Sequence, residues 1–145
     1  SDLQVPAPDD LPLPPEGAAG VTVVDCWWEV QQSLRTAGWL GELLRSCPRV
    51  VLVTPASIPG FRRVEICLGM LGPPRCWVAV TGAPKRRTEA PLDRWVGPLT
   101  EQVRDDGRLA RFPFHPQLAV SGITSEPLPK SLHLAAVDLL KGLLP

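Results

Sequence analysis

Apolar residues fall along this chain in two alternating rhythms. Residues 21–24, "VTVV", are strand formers that run directly into Asp25 and predict a first β-strand over 21–25. From 29 to 47 the spacing turns helical. Val30, Leu34, Leu40, Leu43 and Leu44 form one stripe, weakened in its middle by Gly38 and Gly41 and stopped by Pro48. Residues 50–53, "VVLV", are apolar without interruption, the pattern of a parallel strand with helices over both faces. Next, "TPASIPGFRR" turns the chain, with Ser57 placed to cap a helix and Pro59 in its first turn. That helix sets Phe61, Val64, Leu68 and Leu71 on one face, with Arg62, Arg63 and Glu65 elsewhere on its surface. "GPP" at 72–74 breaks it before a third strand, "CWVAV", at 76–80. A helical region over 92–105 is interrupted near Pro98 and ended by Gly107. A shorter fourth strand is predicted over 109–112, closed by Pro113. The last helix, 130–144, aligns Leu132, Ala136, Leu139, Leu140 and Leu143.

Strand and helix thus alternate four times. This predicts an α/β fold, a three-layer sandwich with a mostly parallel sheet of about four strands flanked by helices. Right-handed crossovers limit how those strands can be ordered. The first 20 residues are different. Pro6, Pro8, Pro12, Pro14 and Pro15 exclude helix and central strand there. Residues 1–20 are therefore expected to be a linker or extended arm, hinting at a longer natural protein, and 21–145 a single α/β domain.

Composition narrows the function classes. The formal net charge is zero, so neither nucleic acid nor an anionic membrane is called for. No apolar run approaches the roughly 20 residues of a spanning helix, and no signal-peptide pattern is present, so the expected location is the cytoplasm. Cys26, Cys47, Cys67 and Cys76 lie in or beside apolar segments without a C-x-x-C pair, as structural thiols do. His115 and His133 are isolated, and no metal site is expected.

In a parallel α/β sheet, ligands sit beyond the carboxyl ends of the strands. Those ends here are "DCWWE", "TPASI", "TGAPKRR" and "PFHPQ". Their order resembles the second half of a MinD/ParA-type P-loop ATPase domain. "VVDCWW" is similar to the family's strand that ends in an aspartate. "VLVTPASIPGFRRVEICLGML" is similar to its strand, Thr/Pro/Ser turn and helix. "RFPFHPQLAVSGITSEPLPKSLHLAAVDLLKGLL" is similar to its closing block. The likeness covers about residues 21–144 and implies that Asp25 stands where the family has its Walker-B acid, the holder of Mg²⁺ beside the phosphates.

The departures from that family bear on function. No G-x-x-x-x-G-K-[ST] loop or early-lysine variant occurs, so this chain lacks the cradle for the β- and γ-phosphates. "GAPKRR", with Lys85, follows the third strand and lacks a second glycine and the Ser/Thr. Thr81 or Gly82 occupies the position where the resemblance implies an adenine-contacting asparagine. Trp27 and Trp28 replace small residues beside the γ-phosphate position. They plug the site, present a surface to another protein, or pack under a neighbouring helix.

Two further constellations carry less. Ser57, His115 and Asp25 can be assembled on paper as a hydrolytic triad, but no G-x-S-x-G elbow supports it. His115 is expected in a turn and His133 on the exposed side of the last helix. Arg62, Arg63, Lys85, Arg86, Arg87 and Arg94 are interleaved with Glu65, Glu89, Asp93 and Glu101, which describes a mixed surface and not a nucleic-acid face. The expected function is that of a non-catalytic or incomplete MinD/ParA-like domain acting through protein partners, a homodimer among them, in positioning, segregation or secretion machinery. Asp25, Trp27 and Trp28 are its leading residues, with Thr54, Thr81, Gly82, Lys85 and His115 along the crevice edge. No cofactor is expected unless ATP and Mg²⁺ bind with a phosphate loop from a missing N-terminal half or another subunit. A Rossmann-like small-molecule binder is the third reading.

Overall fold

The computed structural model describes residues 21–26, 29–83 and 95–144. The proline-rich stretch 1–20, Trp27, Trp28, and residues 84–94, with Lys85, Arg86, Arg87 and Arg94, lie outside the described residues. The chain divides into two compact units, one ending at Cys47 and the other running from Pro48.

In the first unit, the helix predicted over 29–47 is two helices, α1 (Val30–Arg35) and α2 (Trp39–Ser46). Gly38 is the break: it precedes α2 in an extended conformation, with φ −76° and ψ 173°. Gly41 has a different task. It is buried, and a Cβ there would lie 2.5 Å from the Thr36 carbonyl oxygen and 2.9 Å from that of Ser33. The missing side chain is what lets α2 fold back closely on α1. Arg45 Nη1 locks the turn by donating to the Leu34 carbonyl at 2.6 Å. This places a cation on the carboxyl end of α1, where the helix dipole favours it.

The strand predicted over 21–25 does not form. Residues 21–26 have no regular structure, and Val21 and Val23 are 56% and 88% exposed. Local β-preference holds a strand only when a neighbour completes its ladder, and no described strand pairs with these residues.

The second unit is α/β with a parallel sheet flanked by helices. Its order is β1 (Val50–Pro55), α3 (Ile58–Leu71), β2 (Cys76–Ala83), α4 (Pro98–Asp105), β3 (Leu109–Pro113), α5 (Pro116–Ser121) and α6 (Lys130–Leu143). The sheet has three strands in the order β1-β2-β3, not about four, and both pairings are parallel. Register sets Leu52 against Val78 and Thr54 against Val80, so these four buried side chains share a face. α3 and α4 pack on it with Phe61, Val64, Leu68, Leu71 and Val103, all buried. The predicted inner face of α3 is therefore the one observed, each such side chain contributing roughly 1.5–3 kcal/mol on burial. On the opposite face α6 runs against Trp77: a Cβ at Gly142 would lie 2.8 Å from its Nε1.

Two details of the pattern differ. Val53 is 69% exposed, so helices do not cover both faces of β1. Leu140 is 47% exposed, because one residue beyond Leu139 it is turned about 100° off the face shared by Leu132, Ala136, Leu139 and Leu143.

Candidate functional site

The carboxyl ends of β1, β2 and β3 gather Thr54, Thr81, Gly82 and His115 at one rim of the second unit. Thr54 is buried at 3% exposure, and its Oγ1 donates to the Pro55 carbonyl at 3.3 Å. Thr81 Oγ1 donates to the Thr54 carbonyl at 3.2 Å, and the Ala56 N–H donates to the Thr81 carbonyl at 2.8 Å. Together these bonds stitch the ends of β1 and β2. Ser57 is the N-cap of α3, as its position predicted, and its Oγ accepts the Gly60 N–H at 3.1 Å.

Thr81 and Gly82 do not begin a loop after β2. They lie inside the strand, which runs on to Ala83. The ladder to β3 shifts register between Thr81 and Ala83, and Gly82 supplies the positive φ of 68° at that irregularity. Past it, Phe114 N–H donates to the Ala83 carbonyl at 3.1 Å, tying the exit of β3 to the end of β2. His115 follows, half-buried, as the residue before α5, a short helix that the pattern of apolar residues did not predict. Its Nδ1 is buried without a hydrogen-bond partner.

Asp25 belongs to the first unit. It is exposed at the end of an irregular segment and not at the tip of a strand. Its charge is felt by the neighbouring Cys26 thiol, which partial burial holds above the ordinary thiol range, with Asp25 and then Cys47 adding to the shift. All four cysteines are thiols outside any disulfide; only Cys76 is buried, and Cys26, Cys47 and Cys67 are half-buried. Among the described residues no group of three His, Cys, Asp or Glu is placed to hold a metal ion. His133 is exposed, as expected from its place on α6. None of the described helices is long and apolar enough to cross a membrane.

Sequence reasoning missed two polar side chains that organise the second unit. Helical spacing puts Glu65 on the surface of α3, but its carboxylate reaches the amino end of α4 and accepts three hydrogen bonds. Arg108 donates to the Pro73 carbonyl and, at 2.6 Å, to that of Cys76. It pairs with Asp106 at 2.6 Å, and its guanidinium stands 5.7 Å from the Trp77 ring centroid. Asp106 apart, neither role has a local signal, since the α4 groups that Glu65 accepts from and the carbonyls that Arg108 reaches are some 30 residues away in the chain. Compared with protein-family models, curated proteins and solved structures, the chain matches none of them.

Proposed function

We propose that this chain works by binding other proteins, as a MinD/ParA-like domain without nucleotide hydrolysis of its own, through Trp27 and Trp28 beside Asp25. The observation that carries this is the use made of the hydroxyls at the sheet's carboxyl ends. Thr54, Ser57 and Thr81 each spend their side-chain oxygen on a backbone group of the fold. A nucleophile or a phosphate ligand needs such an oxygen directed at its substrate, activated by a base or a metal. Here Ser57 accepts the Gly60 N–H and so serves as the cap of α3. The parallel sheet flanked by helices supports the family reading in outline, since it is the architecture that the resemblance implies. The sequence supports the rest: an acid at position 25 with two indoles close behind it, and no phosphate loop.

Aromatic side chains dominate protein interfaces because they bring large apolar area and few rotamers to be frozen. Two adjacent indoles beside a carboxylate suit a partner with an apolar pocket rimmed by a cation. Isothermal titration of the full chain with Mg-ATP tests the reading. Absence of binding heat agrees with it; micromolar binding that disappears in Asp25→Asn defeats it.

A further inference from the structure

β1 is an edge strand, and among the described residues nothing pairs with its outer side. Which of its groups face outward follows from the ladder. The Ala56 N–H bonds to the Thr81 carbonyl of β2, so by alternation Leu52 and Thr54 also turn their backbone groups inward to β2. Val51, Val53 and Pro55 turn theirs outward. Val53 also exposes 69% of its surface, on the face opposite α3.

Proteins usually blunt such an edge with charge, proline or a bulge. β3, at the other edge, carries an exposed arginine, Arg111, ends on Pro113 and pairs with β2 through a register shift. β1 has no charged residue from Val50 to Pro55, and its register with β2 is unbroken. The sole interruption on its outer side is the missing N–H of Pro55.

We infer that β1 is a self-association edge, pairing antiparallel with β1 of a second copy about a two-fold axis through Leu52, to make one sheet across a dimer. Symmetry and hydrogen-bond chemistry select this register. An axis at Leu52 sets Val51 opposite the partner's Val53, and Val53 opposite the partner's Val51. Each of these residues then donates one hydrogen bond and accepts one, leaving none of their backbone groups unpaired. An axis through Val53 would set the Val51 carbonyl against the absent N–H of the partner's Pro55. An axis between residues would turn inward-bonded groups to the partner. The favoured register also buries the exposed Val53 against a β-branched neighbour, the side-chain pairing that stabilises antiparallel strands. The absence of charge leaves no like-charge repulsion on the axis. A second copy supplies this same uncharged strand with its Pro55 outside the paired Val51 and Val53, and is the occupant that the symmetric register fits. The inference draws on neither Trp27 nor Trp28, so it and the proposed function can fail separately.

Sedimentation velocity on the 145-residue chain reads the mass directly. A dimer is expected at about 100 μM, dissociating on dilution. Val53→Lys removes both valine pairs and sets two ammonium groups on a cross-strand diagonal. It is expected to raise the concentration of half-dissociation about tenfold, with an unchanged circular dichroism spectrum. A monomer throughout that range, or a dimer that folded Val53→Lys does not weaken, refutes the inference. Should the variant fail to fold, amide exchange of the unaltered chain decides. Protection of Val51 and Val53 N–H that grows with protein concentration supports the dimer, and protection independent of concentration overturns it.

Discussion

Replacing Glu65 by glutamine tests whether one carboxylate holds α4 to α3. Glu65 Oε1 accepts the Leu99 N–H at 2.8 Å, and Oε2 accepts the Thr100 N–H at 3.0 Å and the Thr100 hydroxyl at 2.8 Å. Gly97 precedes the helix and offers no side-chain cap, so the first-turn donors depend on Glu65. A Cβ at Gly97 would collide with that carboxylate, so the approach is close as well as charged. Glutamine keeps the shape and one acceptor oxygen. With that oxygen turned to Thr100, the amide NH₂ faces the Leu99 N–H, a lost bond worth about 1–2 kcal/mol. Losing the negative charge at a helix amino end adds about 0.3–1 kcal/mol. The expected cost of Glu65→Gln is therefore about 2 kcal/mol. At a urea dependence of roughly 2 kcal/mol per molar, the midpoint falls by about 1 M. Tryptophan fluorescence and far-ultraviolet circular dichroism, recorded together, give that midpoint. Thr100→Val removes only the hydroxyl bond, for about 1 kcal/mol, and the double variant should cost less than the two single costs combined. A Glu65→Gln stability within about 0.5 kcal/mol of the unaltered chain would show that the carboxylate does not hold the helix.

Two further outcomes are expected from the same unit. Arg108→Lys keeps the charge but loses the planar fork over the Pro73 and Cys76 carbonyls and the stacking on Trp77, so urea unfolding should show a loss of about 2 kcal/mol. Burial pushes the Cys76 thiol above its ordinary value of 9.0, against the opposing effect of Arg75 and Arg108. A raised folded-state value means that the folded chain favours the neutral thiol. That contribution is whole below pH 9.0 and is lost as pH rises from there through the folded-state value. Urea midpoints on either side of pH 9.0 should fall with rising pH, and should fall less steeply in Cys76→Ala; equal slopes would contradict the burial argument.

The cysteines show how far local reasoning reaches. Their apolar neighbourhoods predicted burial for all four, yet only Cys76, on the central strand, is fully enclosed. A strand with a neighbour on each side and helices over its faces is shielded from four directions. Cys26 follows an irregular segment, Cys47 closes α2 and Cys67 lies on the flank of α3, and each keeps part of its surface. The same distinction explains 21–25. "VTVVD" and "VVLVTP" have nearly the same β-preference, but only the second has a described neighbour, β2, to complete its hydrogen bonds.

Elements whose cause is local could be read from the residues alone. Proline and glycine set their ends, Ser57 started α3, helical spacing chose the inner face of Phe61, Val64, Leu68 and Leu71, and uninterrupted apolar runs marked β1 and β2. These follow from steric limits and side-chain periodicity within a turn or two of chain. The strand number, the open edge at Val53, the capping of α4 by Glu65 and the anchoring of Arg108 on Trp77 emerge with the packed fold. Each of those depends on groups far apart in the chain meeting in space. A hydrogen bond or a buried face is settled by which surfaces arrive opposite one another, and nothing in the spacing of neighbouring residues encodes that meeting.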